Sequence, residues 1–285
     1  MARRDLRVLP DTIGTIREGH MTDKPTGSSA NGTTPPEAEN GAYNETYTQG
    51  PIIRRGNQVP ATTTSKRLLS PSANDADWLH ADPWRVLRIQ AEFVDGFGAL
   101  AEVGPAVACF GSARTKSNDP MYRHARRIGH AIAKRGVAVI TGGGPGIMEA
   151  VNRGATLAGG VSIGLGIELP FEEQLNRWVN LGMTFRYFFV RKTMFMKYSQ
   201  GSIFFPGGFG TMDELFELLT LVQTQKVDYT PVVLFGSDYW HGLIDWLRGS
   251  VERFGNISAA DHGLYRITDD EAEAVELVCK GIESE

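Results

Sequence analysis

The sequence predicts an α/β fold in which helices cover both faces of a parallel β-sheet, forming a three-layer sandwich. Five short, mostly apolar runs alternate with longer segments whose apolar residues recur at helical spacing. These runs span residues 107–110, 137–140, 161–167, 202–205 and 232–235. Strands that are apolar throughout are buried on both faces, which is typical of a parallel sheet joined by crossover helices. Glycine-rich loops follow three of the runs and give the first indication of function.

We expect the chain to divide into an N-terminal arm, residues 1–74, and a single domain, residues 75–285. The arm is rich in Thr, Ser, Gly and Pro, and its few apolar residues show no periodicity. Such a segment cannot bury enough apolar surface to offset the entropy that is lost when its backbone is ordered. We therefore expect the arm to be disordered. The domain begins with a helix whose apolar residues share one face: Ile89, Phe93, Phe97 and Leu100.

The composition argues against several classes of protein. The 285 residues carry a formal net charge of −4, so the chain as a whole offers no basic surface for nucleic acid. No apolar run approaches the ~18 residues that span a bilayer, and the first residues lack the apolar core of a signal peptide. The two cysteines, Cys109 and Cys279, fall in predicted buried elements. We therefore expect a cytoplasmic protein without a disulfide or a metal site.

Residues 206–211 form the most informative of the glycine loops. Ligands bind at the carboxyl ends of parallel strands, and this loop joins such an end to a helix through Gly207, Gly208, Phe209 and Gly210. Bare backbone N–H groups and the positive end of a helix dipole together bind phosphate. The alternative is a tight turn that uses glycine for positive φ. Three glycines within four positions favour the anion site.

The loop at residues 141–146 is a weaker signal. It does not match the dinucleotide fingerprint, because Ile147 stands where the third glycine is required, and the chain contains no Walker A motif. Binding of NAD or Mg-ATP is therefore disfavoured. Two interpretations of this loop stay open: it binds ligand, or its glycines let a helix pack closely on a strand.

Three motifs together resemble the LONELY GUY (LOG) family of cytokinin riboside 5′-monophosphate phosphoribohydrolases, often mislabelled as lysine decarboxylases. The motifs are Gly142-Gly-Gly-Pro-Gly-Ile-Met-Glu-Ala150, Arg191-Lys192 and Pro206-Gly-Gly-Phe-Gly-Thr-Met-Asp-Glu214. The resemblance covers about residues 75–285. It implies a Rossmann-like domain that dimerises and splits a nucleoside 5′-monophosphate into free base and ribose 5-phosphate, without a metal or an organic cofactor. The N-terminal helix, and Phe195 in place of a usual Met, are similar to the longer, hexamer-forming subgroup.

The resemblance also implies roles for individual residues. Arg191 and Glu214 match the catalytic pair of the family. Six positions match residues that contact the nucleotide, although the match at Glu172 is loose because Glu173 is adjacent: Glu172, Lys192, Gly208, Gly210, Thr211 and Thr220. The glycine loops add further substrate-binding candidates: Gly111, Ser112, Gly144, Gly207 and Phe209.

Glu214 also has a purely structural explanation. Thr211 and Glu214 have the spacing of a capping box, in which the glutamate bonds the backbone N–H at the start of a helix. In the catalytic interpretation, a carboxylate beside the sugar stabilises the cation-like centre that forms when the C–N bond breaks. Arg191 and Lys192 are either a solvated basic face or the groups that hold phosphate and keep the carboxylate ionised. The Arg191 match favours catalysis.

The resemblance thus implies hydrolysis of the N-glycosidic bond of adenosine 5′-monophosphates, both N6-substituted ones and AMP itself. Two alternatives remain: a nucleosidase of broad purine and pyrimidine scope, and a non-catalytic carrier or sensor of a phosphorylated ligand. The expected partners are the nucleoside 5′-monophosphate and further copies of the chain, as a dimer or a hexamer. Neither nucleic acid nor a membrane is expected to bind.

Overall fold

The structure is a computed structural model that describes residues 46–49, 52–55, 63–69, 77–168, 175–280 and 282. For residues 46–49, 52–55, 67 and 77–83 only the backbone is described. In the described part of the chain, no helix is both long and apolar enough to cross a membrane.

The domain is built on a seven-stranded sheet whose neighbouring strands are all parallel. The strands are β3 (Ala106–Phe110), β4 (Ala138–Thr141), β5 (Ser162–Ile167), β6 (Leu181–Phe185), β7 (Gly201–Phe204), β8 (Val232–Phe235) and β9 (Arg266–Thr268). Their spatial order is β6-β5-β4-β3-β7-β8-β9. Before them, β1 (Thr46–Gln49) and β2 (Ile52–Arg55) form an antiparallel pair.

Helices cover both faces of the sheet. They are α1 (Thr64–Leu69), α2 (Asp77–Leu100), α3 (Pro120–Lys134), α4 (Ile147–Leu157), α5 (Phe188–Tyr198), α6 (Phe209–Gln223), α7 (Ser237–Trp246) and α8 (Glu271–Cys279). The buried side chains fall into two clusters, one containing α3, α4 and α8 and the other containing α2, α5, α6 and α7. This arrangement confirms the predicted α/β fold with three layers.

The order of the strands creates a crevice between β3 and β7. The chain proceeds from β3 outward to β6 and then returns to β7 on the other side of β3. Such a reversal is where open α/β sheets bind ligands. The loops after the two strands meet there, since the N–H of Ser112 donates to the carbonyl of Pro206 at 3.0 Å.

Two strands of the seven-stranded sheet were absent from the sequence prediction, as were β1 and β2, which lie in the range of the predicted arm. Strand β6 contains half-buried and exposed residues at one edge of the sheet, and β9 is a three-residue strand at the other edge. Edge strands need not be apolar throughout, so neither produces the run that identifies an inner strand.

Helix α1 lies inside the range for which the sequence predicts a disordered arm. Its Thr64 donates to a carboxylate oxygen of Glu168, from the backbone N–H at 3.4 Å and from the hydroxyl at 3.1 Å. The Ser65 hydroxyl donates to the carbonyl of Arg186 at 2.5 Å. Polar contacts with a distant part of the chain hold this helix, and a prediction based on apolar content cannot detect them. The boundary at residue 74 stays a prediction.

Candidate functional site

The site is centred on a buried ion pair between α5 and α6. Nη2 of Arg191 lies 3.0 Å from Oε1 of Glu214, and the two side chains are 11% and 7% exposed. The guanidinium also lies over the rings of Phe188 and Phe195, 5.6 and 5.5 Å from their centroids. Its buried Nε has no hydrogen-bond partner among the described residues. Arg191 is thus held by the carboxylate and the rings, and one of its donors stays buried without a partner among the described residues.

Two opposing effects set the charge of Glu214. Burial raises the pKa of its carboxyl group above the ordinary value, and this effect is the largest. The Arg191 guanidinium opposes it, through both its charge and its hydrogen bond, and the more distant Lys192 does so to a smaller extent. The net pKa is raised, so the ionised carboxylate depends on Arg191.

The capping-box interpretation of Glu214 is wrong. Helix α6 begins at Phe209 with Gly208 as its N-cap, and no side chain caps it. Thr211 is therefore already inside the helix, where it is buried against Gly207. Glu214 is the sixth helical residue and bonds Arg191 instead of the first turn. The glycine loop adopts helical geometry three residues earlier than the Thr-x-x-Glu spacing suggests.

Lys192 links the same two helices on the more exposed side. Its ammonium lies 2.9 Å from Oδ2 of Asp213 and 2.6 Å from Oε2 of Glu217. Both carboxylates belong to α6. The two carboxylates therefore compete with any phosphate group for Lys192.

The 206–211 loop carries glycines that the described residues do not explain. A Cβ on Gly207 would collide with Thr211, so packing accounts for that residue. By contrast, a Cβ on Gly208 would meet nothing within 4 Å, and one on Gly210 would meet only Oε2 of Glu214, at 3.9 Å. Neither glycine has positive φ. Their bare backbone faces open space at the start of α6, next to the buried carboxylate.

The glycines of the 141–146 loop are explained by packing. Gly143 has φ of +72°, and its Cβ would lie 2.4 Å from Leu175. Gly146 has φ of +69°, and its Cβ would lie 2.3 Å from the carbonyl oxygen of Ser112. Gly144 packs against the end of Met148. The loop nevertheless borders the site, because a Cβ on Gly142 would lie 4.0 Å from Nη2 of Arg191.

The loop after β3, which contains Gly111 and Ser112, contacts the other two glycine loops. A Cβ on Gly111 would lie 2.6 Å from the side chain of Ile147, so this glycine serves the packing of α4. Ser112 donates to the loop after β7 and accepts the N–H of Ile147 at 3.0 Å. Its hydroxyl accepts the N–H of Arg114 at 3.1 Å. Both residues hold the loops together around the crevice.

One predicted binding residue, Thr220, is not brought to the ion pair. Thr220 is exposed, and its hydroxyl donates to the carbonyl of Phe216 in the same helix at 2.6 Å. It lies six residues after Glu214, about 9 Å along the helix axis. Glu172 and the adjacent Glu173 lie outside the described residues.

Sequence analysis missed one residue that supports the site. Glu92 of α2 is buried and accepts the backbone N–H of Arg186 at 3.0 Å and that of Tyr187 at 3.3 Å. Tyr187 is the N-cap of α5, whose own side chain makes no capping bond. Glu92 therefore holds the start of the helix that carries Arg191. The only signal for it was an acidic residue on the inner, apolar face of α2.

The chain was compared with known proteins. Residues 148–278 match the protein family described as "Possible lysine decarboxylase". The cytokinin riboside 5′-monophosphate phosphoribohydrolase of Mycobacterium tuberculosis is 31% identical over 130 residues, which are 45% of this chain and 70% of that protein. The chain belongs to the LOG family.

A second relative is much longer than this LOG chain. The pyrimidine/purine nucleotide 5′-monophosphate nucleosidase of Escherichia coli K12 is 31% identical over 190 residues, which are 62% of this chain. The LOG chain spans only 40% of the length of that nucleosidase. Among solved structures, the molybdenum cofactor carrier protein of Chlamydomonas reinhardtii is similar with a TM-score of 0.46 and 24% identity, covering 64% of this chain and 99% of that one.

Proposed function

We propose that this LOG chain hydrolyses the N-glycosidic bond of nucleoside 5′-monophosphates, with N6-substituted adenosine 5′-monophosphates as preferred substrates. The products are the free base and ribose 5-phosphate. The observation that carries the proposal is the buried Arg191–Glu214 pair, 3.0 Å apart and bordered by two glycines for which the described part of the chain gives no packing reason. The names of the Mycobacterium tuberculosis and Escherichia coli relatives support the same reaction class.

The 206–211 loop is proposed to bind the 5′-phosphate. Gly208 and Gly210 leave the backbone N–H groups at the start of α6 open, and the helix dipole adds positive potential there. The side chain position of Gly210 is next to Glu214, so a phosphate on this loop brings the attached ribose to the carboxylate. Binding energy from the phosphate then positions the bond that breaks.

In the proposed reaction, the C1′–N bond breaks and its electron pair leaves with the base. Positive charge develops on the ribose, and the carboxylate of Glu214 stabilises that charge. Water oxygen forms the new bond to C1′, and one proton from this water ends on the departing base. Arg191 keeps Glu214 ionised in a buried place that favours its protonated form.

The chain is further proposed to work as a homo-oligomer, a dimer or a hexamer, in the cytoplasm. The oligomer follows from the similarity to the longer LOG subgroup. The cytoplasm is proposed because the chain has only two cysteines, Cys109 and Cys279, and both are buried. The net charge of −4 gives no support for a nucleic-acid partner.

A nucleosidase of broad scope is the second candidate, because the Escherichia coli relative matches a larger share of this chain, 62% against 45%. Release of base from N6-isopentenyl-AMP, AMP, GMP, CMP and UMP distinguishes the two. We expect the N6-substituted substrate to have the highest kcat/KM, whereas similar values for all five would favour the broad enzyme. Adenosine is the control and should not react.

The carrier alternative makes a different prediction in the same assay. A protein that binds these nucleotides but releases no base from any of them would contradict hydrolysis. Among the described residues, no three His, Cys, Asp or Glu side chains are grouped to hold a metal. EDTA is therefore expected to leave the rate unchanged, and inhibition that one metal reverses would contradict that expectation.

A further inference from the structure

A buried polar network lies beside the 141–146 loop. Its central residue is Asn152 of α4, which is fully buried. The Asn152 amide donates to the hydroxyl of Ser162 at 2.8 Å and to the next carbonyl of β5 at 3.2 Å. Its Oδ1 accepts two further bonds, from the hydroxyl of Thr141 at 2.6 Å and from the amide of Asn176 at 2.9 Å. The buried amide is therefore fully satisfied, and it joins α4, β4, β5 and the segment that precedes β6.

Asn176 uses this network to hold two carbonyl groups of the loop. Its backbone N–H donates to the carbonyl of Gly143 at 2.7 Å. Its side-chain amide donates to the carbonyls of Gly143 and Gly144, each at 3.0 Å. At the start of the loop, the hydroxyl of Thr141 accepts the N–H of Gly143 at 2.9 Å. Both peptide groups of Gly143 are thus bound to side chains, which fixes the direction in which their dipoles point.

The carbonyls of the loop are held on the side away from the crevice. Leu175 packs over the outer strands of the sheet, since a Cβ on Gly182 of β6 would lie 2.5 Å from its side chain. Asn176 therefore lies on the β5 side of the loop, whereas the crevice lies on the β3 side. In a planar trans peptide, the N–H points opposite to the carbonyl. The peptide between Gly143 and Gly144 consequently directs the N–H of Gly144 away from Asn176 and toward the crevice.

This direction is the one that suits an anionic ligand. The loop borders the ion pair, because a Cβ on Gly142 would lie 4.0 Å from Nη2 of Arg191, the atom that bonds Glu214. A phosphate monoester carries about 1.5–2 negative charges near pH 7. A carbonyl oxygen directed into the crevice would repel such an anion, whereas a backbone N–H attracts it. Release of the two carbonyls from Asn176 would therefore weaken the binding of a nucleotide.

We infer that Asn176, supported by Asn152 and Thr141, is a positioning residue that holds the 141–146 loop in the orientation that accepts the anionic substrate. It contacts no reacting atom: it keeps two carbonyl oxygens away from the crevice and one N–H directed toward it. The inference rests on the proposed function and gives the second glycine loop an electrostatic role in it. The phosphate is charged in the ground state and in the transition state alike, so the effect belongs to KM and not to kcat.

The first test replaces Asn176 in two ways. N176D keeps the size of the side chain and the oxygen that accepts the N–H of Trp178 at 3.1 Å, but it removes the amide donors. N176L removes the donors without adding a charge. Both variants should raise the KM for AMP about tenfold, the scale of one lost hydrogen bond, with kcat nearly unchanged. A purely structural role would instead lower the melting temperature and the active fraction, and so reduce the apparent kcat at unchanged KM.

N180D is the matched control for these variants. Asn180 lies four residues later in the same segment, and its amide donates to the carbonyl of Gly160 at 3.0 Å instead of to the loop. The substitution should therefore leave the KM for AMP at the wild-type value. A wild-type KM in both N176D and N176L, or an equal rise in N180D, would overturn the inference.

Thr141 tests the network from its other end. T141V keeps the shape of this fully buried side chain but removes the hydroxyl that accepts the N–H of Gly143 and donates to Asn152. We expect a rise in the KM for AMP that is smaller than in the Asn176 variants, because Asn176 still holds both carbonyls. T141S retains the hydroxyl and should restore the wild-type KM. If T141S were as impaired as T141V, packing of the methyl group would be the cause, and the role of the network would be overturned.

Calorimetry with ribose 5-phosphate separates this inference from the proposed hydrolysis, because it needs no turnover. N176D and N176L should both bind this anion about tenfold more weakly than the wild type, and N180D should bind it with wild-type affinity. A wild type that releases no base and yet shows this pattern would contradict hydrolysis and leave the inference standing. A wild type without affinity for AMP or ribose 5-phosphate, or Asn176 variants with unchanged affinity, would overturn the inference.

Discussion

The 141–146 loop and the 206–211 loop follow two strands of the same sheet and have nearly the same glycine content. In the first, Gly143 and Gly146 have positive φ, and a side chain on either would collide with its surroundings. In the second, Gly208 and Gly210 have ordinary φ and open space around them. The number of glycines in a loop therefore does not by itself identify a ligand site. A glycine indicates a ligand when the fold gives it no other reason.

Among the variants that test this difference between the two loops, one at Gly208 should have the largest effect on activity. A G208V side chain would occupy the open space at the start of α6, where the phosphate is proposed to bind. We expect kcat/KM for AMP to fall about 10²-fold, the scale for losing preorganised donors, with an unchanged melting temperature. Kinetics and thermal melting check both. Wild-type turnover by a folded G208V protein would contradict the proposal that the open space at Gly208 binds the phosphate.

At Gly146, by contrast, we expect a substitution to reduce the stability of the protein. G146A places a Cβ 2.3 Å from the carbonyl oxygen of Ser112, in a backbone conformation with φ of +69°. Strain of this kind costs about 1–3 kcal/mol, before the collision is added. Denaturant unfolding should show that loss of stability. A G146A protein as stable as the wild type would mean that this loop is less constrained than its geometry indicates.

The pH dependence of activity tests whether Arg191 lowers the pKa of Glu214. In the proposed reaction Glu214 acts as the ionised carboxylate, and its pKa is raised by burial. Activity should therefore be lost on acidification at a higher pH than for an exposed glutamate. R191A removes the largest opposing effect, so the acid limb of kcat should move to still higher pH. An R191A limb at or below the wild-type pH would contradict the coupling.

A smaller effect is expected from Glu92, which acts through α5. E92A removes the acceptor of two backbone N–H groups at the start of that helix, so Arg191 should pair less well with Glu214. We expect kcat to fall about tenfold, the scale of losing hydrogen bonds to a charged group, and the acid limb to move toward that of R191A. E92Q should recover part of both, and the exposed E102Q is the matched control. Lower stability with an unmoved acid limb would indicate a structural role only.

Much of the fold could be predicted because burial of inner strands leaves a continuous apolar run. Strand β9 has three residues at an edge and leaves no such run. The Arg191–Glu214 contact followed from the family resemblance, and their catalytic roles stay predictions. The contact of Glu92 with Arg186 joins residues 94 positions apart, and no spacing rule links such distant groups. The start of α6 was misplaced because the glycines of the loop have no side chains, so the sequence pattern does not indicate where helical backbone geometry begins.

The central claim is that Glu214 stabilises the cationic sugar, and the E214Q variant tests it most directly. Glutamine keeps the shape of the side chain and an acceptor for Arg191 but removes the negative charge. We predict a folded protein that retains affinity for AMP and releases base at least ~10²-fold more slowly, as when one preorganised electrostatic group is removed. The measurement is single-turnover base release alongside nucleotide binding. Wild-type base release by E214Q would contradict the catalytic role of this carboxylate.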